Sequence, residues 1–136
     1  MRTTTTASAT APSAKTGITF VSVGPKGERG FLFFRHQSAD QVISSAHVDG
    51  FGGQAFRRAR VFHFGSSTLA GEPARSATLR ALERARAAGL TISCDPNLRL
   101  HRWDSVDEAR ARTLAAIEGV DVLKVADDEL PHLVDT

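Results

Sequence analysis

Three short apolar runs, VFHFG from residue 61, LTISCD from residue 90 and VDVLKV from residue 120, are separated by two segments of helical length. This alternation constrains the fold more than any other feature of the chain. Strands joined by a helix of a dozen or more residues pair in parallel, with right-handed crossovers. The first connector, EPARSATLRALERARAAG, has Pro73 at its first helical position and sets Ala74, Thr78, Ala81, Leu82, Ala85 and Ala88 on one face, with Gly89 as terminator. The second, SVDEARARTLAAIEG, opens with Ser105 and Glu108 three residues on, the spacing of a reciprocal cap. A last segment, DDELPHLV, starts a helix at Asp127 that Pro131 weakens.

Upstream, GITFVSV, GPKGERG and FLFFRH read as strand, turn cluster and strand, a β-hairpin. The following SADQVISSAHVDGFGGQ is polar and reads as irregular with a short helix. Its DGFGG lacks the Lys-Ser/Thr pair of a phosphate loop and the spacing of a dinucleotide fingerprint. Residues 1–15, MRTTTTASATAPSAK, have no acid and hardly any large apolar side chain, so they read as a disordered tail before one domain at 16–136. The tail lacks the apolar centre of a secretory signal and the arginine content of a transit peptide.

Cys94 is the only cysteine, which leaves no internal disulfide and points to a reducing, cytoplasmic compartment. Beside Asp95 and inside an apolar run, it reads as a small buried hydrophobe. A net charge of +2 falls far short of the concentrated basic face that nucleic acid selects. Arg57, Arg58 and Arg60 read as a solvated edge, and no apolar run is long enough to cross a membrane. His63, between Phe62 and Phe64, reads as a wall residue, Trp103 as a seal over the core, and the five histidines have no metal-ligand spacing.

In open parallel sheets, ligands collect beyond the carboxyl ends of the strands. Gly65, Ser66 and Ser67 leave the first strand there; Asp95, Asn97 and Arg99 leave the second behind Pro96; Ala126, Asp127, Asp128 and Glu129 leave the third. Each has a structural alternative as well. Asp95 can cap a turn, Asn97 can close it and Arg99 can pair with a surface acid.

The segments FLFFRHQSAD, ARVFHFGSSTLAGEPARSATLRALERARAAG, TISCDPNLRLHRW and DVLKVADDEL, in that order, resemble the central part of the ribokinase-like carbohydrate kinases. These are the phosphofructokinase B type, and the resemblance is to the fructokinase and 2-keto-3-deoxygluconate kinase branch. It covers about residues 16 to 136. It implies a partial ribokinase-like α/β fold: three parallel strands with crossover helices, plus the N-terminal hairpin. It also implies ATP- and Mg2+-dependent phosphoryl transfer to a sugar hydroxyl, with Arg35 and Arg99 at the sugar site beside Asp95 and Asn97. A guanidinium fork suits a polyhydroxyl or carboxylate-bearing sugar. The family's Asn-x-x-Glu motif, whose glutamate helps organise hydrated magnesium and the nucleotide, survives as Glu129 with Ala126 at the asparagine position.

Two family elements have no counterpart in these 136 residues: a Gly-Gly substrate loop, and the Gly-Ala-Gly-Asp segment that supplies the base and the anion hole. The expectation is therefore a truncated kinase, inactive by itself and doubtful as a binder of ATP and Mg2+. It would bind a sugar or sugar acid weakly and self-associate through an exposed sheet edge bearing Val61, Phe62, Ile92 and Val122. Two other readings compete with it: a noncatalytic sugar- or partner-binding remnant, and a basic nucleic-acid-associated fragment using Arg57, Arg58 and Arg60.

Overall fold

The computed structural model describes residues 11–134. Most of the expected disordered tail, residues 1–10, lies outside them. Residues 11–15 are tied down: Ala14 N–H donates to the Ala11 carbonyl (2.9 Å), and Ala39 N–H donates to the Lys15 carbonyl (2.8 Å).

The hairpin forms as read, with β1 (Ile18–Val23) antiparallel to β2 (Arg29–Phe34) and Ile18 opposite Phe34. Its turn uses Gly27 at φ 85°, a left-handed conformation that glycine adopts without penalty. Strand periodicity puts Ile18, Phe20, Leu32 and Phe34 on one face and Thr19, Val21, Phe31 and Phe33 on the other. Phe20 meets Phe34 edge to face at 5.8 Å, and Phe31 stacks on Phe33 at 5.9 Å. These apolar side chains nonetheless stay exposed, Phe20 at 60% and Phe34 at 57%.

Two short helices, α1 (Ser45–Gly50) and α2 (Gly52–Arg58), fill the segment read as irregular, and DGFGG forms their junction. The alternating region follows: β3 (Val61–Phe64), α3 (Ala74–Ala87), β4 (Thr91–Cys94), α4 (Val106–Ile117), β5 (Val122–Leu123) and α5 (Leu130–Leu133). The three strands are parallel in the order β3-β4-β5. Only two residues of VDVLKV form β5, but hydrogen bonds extend the join: Asp121 N–H donates to the Ile92 carbonyl (2.9 Å) and Lys124 N–H to the Cys94 carbonyl (3.0 Å).

The core lies between the sheet and the helices, with Phe64, Leu82, Ala85, Ile92, Cys94, Trp103, Ala109 and Ala116 in one buried cluster. Each large side chain there stabilises the fold by about 1.5–3 kcal/mol. The helical face of α3 carries two corrections. Ala77 is buried, whereas Ala88 is exposed, because the helix ends at Ala87 and Gly89 turns away at φ 71°.

The α4 cap is also rearranged. Glu108 N–H donates to Ser105 Oγ (3.1 Å), but the return bond to the Glu108 carboxylate comes from Asp104 N–H (3.3 Å), not from Ser105. The last helix starts at Leu130 rather than Asp127, so Pro131 falls in its first turn, where no N–H is required. Val61 and Val122 are half-exposed on the outer strands of the described sheet; Ile92 sits on the central strand and is buried, so it belongs to no edge.

Candidate functional site

The rim is built where β3 and β4 end. Asp95 N–H donates to the Phe64 carbonyl (3.2 Å) and Ser66 N–H to the Pro96 carbonyl (2.8 Å), stitching the two strand exits together. The approach favours glycine at 65, since a Cβ there would lie 3.0 Å from the Asp95 carbonyl oxygen and the backbone would have to give way by a few tenths of an ångström. Pro96 is fully buried. Asn97 then turns the chain at φ 46°, a left-handed conformation that asparagine tolerates better than most residues.

The far side of this turn is held by Glu129. Its Oε1 accepts the Leu98 N–H and its Oε2 accepts the Ala126 N–H (3.0 Å), and the residue is only 5% exposed. The Asp-Pro-Asn turn is therefore braced from β3 on one side and from the loop after β5 on the other. A rim residue carried on such supports keeps its direction without a ligand.

Beyond the turn lies an open cavity of about 580 Å³. Arg35, Asn97 and Arg99 line it, and Thr19, Phe31 and Phe33 of the hairpin form another wall. Arg35 is oriented by an ion pair with Asp40, which in turn accepts the Ser38 hydroxyl at 2.5 Å. Burial opposes the Asp40 charge, but hydrogen bonds from Ser38 and Arg35, together with the Arg35 charge, hold the carboxyl below its usual 3.8. Arg99 donates from Nη1 to the Leu98 carbonyl (3.1 Å), which leaves most of its donors free for a ligand.

Of the five residues singled out in the sequence, the cavity brings together Arg35, Asn97 and Arg99. Asp95 is not in its wall. One oxygen of Asp95 accepts from Lys124 Nζ at 2.8 Å, while Oδ1 is buried without a described hydrogen-bond partner. Glu129 lies behind the turn. With both oxygens engaged by backbone N–H groups, and without an asparagine at 126, the described residues do not fit the implied magnesium role.

Sequence reasoning missed the phenylalanine wall, Arg102 in the same cavity and the Lys124 partner of Asp95. The alternating Phe31 and Phe33 were the available signal for the first; the other two depend on contacts across the fold. Cys94 behaves as read: it is buried, and burial first, then the Asp95 and Glu129 charges, push its thiol up to about 11. His63 sits on β3 with its ring 3.2 Å from Ser93 Oγ. Among the described residues no cluster of three or more His, Cys, Asp or Glu side chains could hold a metal ion, and no helix is long and apolar enough to cross a membrane.

The pfkB family carbohydrate kinase model matches residues 5–136. The chain belongs to this family of carbohydrate kinases. Among its curated pfkB relatives, Fructokinase-2 of Zea mays is 46% identical over 120 residues, which are 88% of this chain and 35% of the maize protein. The fold is that of solved fructokinases. The structure of the Xylella fastidiosa fructokinase with bound ATP superposes with a TM-score of 0.74 at 31% identity, over 90% of this chain and 38% of that one. The Vibrio cholerae O395 fructokinase bound to fructose, ADP and calcium ion superposes with a TM-score of 0.71 at 31% identity, over 90% and 38%. The chain thus spans little more than a third of the length of the relatives it matches.

Proposed function

We propose that these residues form the sugar-holding part of an ATP-dependent kinase that phosphorylates a hydroxyl of a sugar such as fructose or 2-keto-3-deoxygluconate. The convergence of Arg35, Asn97 and Arg99 on one cavity carries this reading. Guanidinium and amide groups on a braced turn offer directional donors to adjacent hydroxyls, and the Phe31 and Phe33 rings offer an apolar wall for a sugar face. Asp95, turned toward Lys124, supports the turn rather than the ligand.

Taken alone, the 136-residue polypeptide binds the sugar weakly and does not transfer phosphoryl groups, because Gly-Ala-Gly-Asp is absent from its sequence. It works in the cytoplasm, where its single thiol stays reduced. It also associates with itself through unpaired strand edges beside exposed apolar side chains.

Calorimetry with fructose tests the binding, and sugar-dependent ADP formation tests the activity. The expected results are a millimolar constant that Arg35→Ala or Arg99→Ala abolishes, and no ADP above the sugar-free rate. Tight binding that both substitutions leave unchanged removes these arginines from the site. Sugar-dependent turnover that persists through repurification contradicts the inactivity.

A further inference from the structure

The cavity that holds Arg35, Asn97 and Arg99 carries more positive charge than a neutral sugar requires. Arg102, three residues beyond Arg99, lines it too, with His36 and His101, and among the described residues no carboxylate is in its wall. Arg102 also lines a smaller neighbouring cavity of about 290 Å³ together with Arg35 and the carboxylates Asp40 and Glu72; Glu72 is itself taken up by Arg75. The two guanidiniums therefore share one region but not one counter-ion. Asp40 pairs with Arg35, whereas the Arg102 guanidinium makes no hydrogen bond or ion pair among the described residues. Burial, and then the nearby Arg35 charge, push the Arg102 guanidinium below its ordinary value, and Asp40 offsets this only in part.

A half-buried guanidinium beside a second one, with its own donors unused, gains most from an incoming anion. Charge-assisted N–H···O− bonds are about twice as strong as neutral ones, and the planar fork matches a carboxylate or phosphate in bidentate fashion. A neutral ketose would leave Arg102 as it stands. The hydroxyl-binding groups and the uncompensated arginine occupy the same wall, so both can act on one ligand.

We propose that this cavity takes an anionic sugar, with the ligand's carboxylate or phosphate on Arg102 and its hydroxyls on Arg35, Asn97 and Arg99. The proposal rests on the sugar-site reading above and narrows it to a charge class. Arg102 is then the residue that separates anionic from neutral sugars.

Calorimetry on the full chain at low salt tests it with four probes: fructose, gluconate, glucose 6-phosphate and inorganic phosphate. At least one anionic sugar should bind roughly tenfold or more tighter than fructose, equivalent to about 1.4 kcal/mol. The better anionic probe tells whether the negative group is a carboxylate or a phosphate. Raising the salt should erase that advantage without weakening fructose binding to the same degree.

Arg102→Gln should bring the anionic-to-neutral affinity ratio close to one, and Arg102→Lys should keep an intermediate ratio. Equal affinities for fructose and both anionic sugars, an unchanged ratio in Arg102→Gln, or no binding of any anionic sugar each overturns the proposal. So does inorganic phosphate binding as tightly as glucose 6-phosphate, since the site would then read the anion alone. If Arg102→Gln fails to fold, the wild-type ratio and its salt dependence still decide. Fructose binding that depends on Arg35 and Arg99 while the ratio is one leaves the sugar site standing and removes only the charge preference.

Discussion

Replacing Glu129 by glutamine keeps the shape of the side chain and removes its ability to accept at both ends. In the wild type, one carboxylate oxygen takes the Leu98 N–H and the other takes the Ala126 N–H, at 5% exposure. A glutamine can satisfy one of these donors with its carbonyl, but its amide NH2 then faces the other N–H, donor against donor. Losing one hydrogen bond to a charged group and stranding one buried donor should cost about 2–4 kcal/mol. For a domain of this size that corresponds to a fall in melting temperature on the order of 6–16 °C.

Thermal unfolding followed by circular dichroism reads the loss. Native-state amide exchange locates it: Leu98 and Ala126 should exchange faster by a larger factor than the core of α3 does. A variant that melts within about 2 °C of wild type, with unchanged exchange at both amides, would refute the bracing role. Glu129 would then be left for the magnesium function that its buried position argues against.

Three further outcomes are expected. Cys94, buried and with its thiol pushed up to about 11, should resist alkylation at pH 8 in the folded chain and react fully in denaturant; fast labelling of native protein would contradict its place in the core. The Asp40 carboxyl is depressed in the folded chain, so the stability it contributes is complete above its ordinary value of 3.8 and is lost as pH falls through the lower folded value. Carboxyl-carbon NMR of the wild type should therefore place its midpoint below 3.8, and Arg35→Ala should raise it; no response to Arg35→Ala would break the link between the two. Sedimentation of fresh protein should show concentration-dependent association, given the half-exposed Phe20, Leu32 and Phe34 of the hairpin and Val61 and Val122 on the outer strands, whereas a clean monomer with a sharp high-temperature melt would contradict it.

What could be read from the sequence was whatever depends on local spacing. The hairpin, the β3-α3-β4-α4-β5 alternation and the burial of Cys94 and Trp103 all follow from periodicity or from turn chemistry within a few residues, and a turn closed by Asn97 is one of that residue's two readings. Ala88 was misplaced because helical periodicity does not state where the helix stops. Side-chain allegiance was harder still. Asp95 looks like a rim ligand until Lys124, 29 residues later, claims it, and Glu129 looks like a metal-shell residue until the amide of Leu98, 31 residues earlier, is found against it. Arg102 follows the recognisable Asp-Pro-Asn-x-Arg run, and nothing in its local spacing singles it out. Only the folded hairpin brings Arg35 close enough to make it part of a charged wall.

The central claim is that Arg35, Asn97 and Arg99 form one sugar site, and backbone NMR during a fructose titration tests it most directly. The predicted result is a saturable shift of the amides of residues 31–36 and 97–102, in the millimolar range, with the amides of α4 and of the turn at Gly27 unmoved. Shifts that cluster on another surface, or a titration in which residues 97–102 do not respond while others saturate, would contradict the assignment.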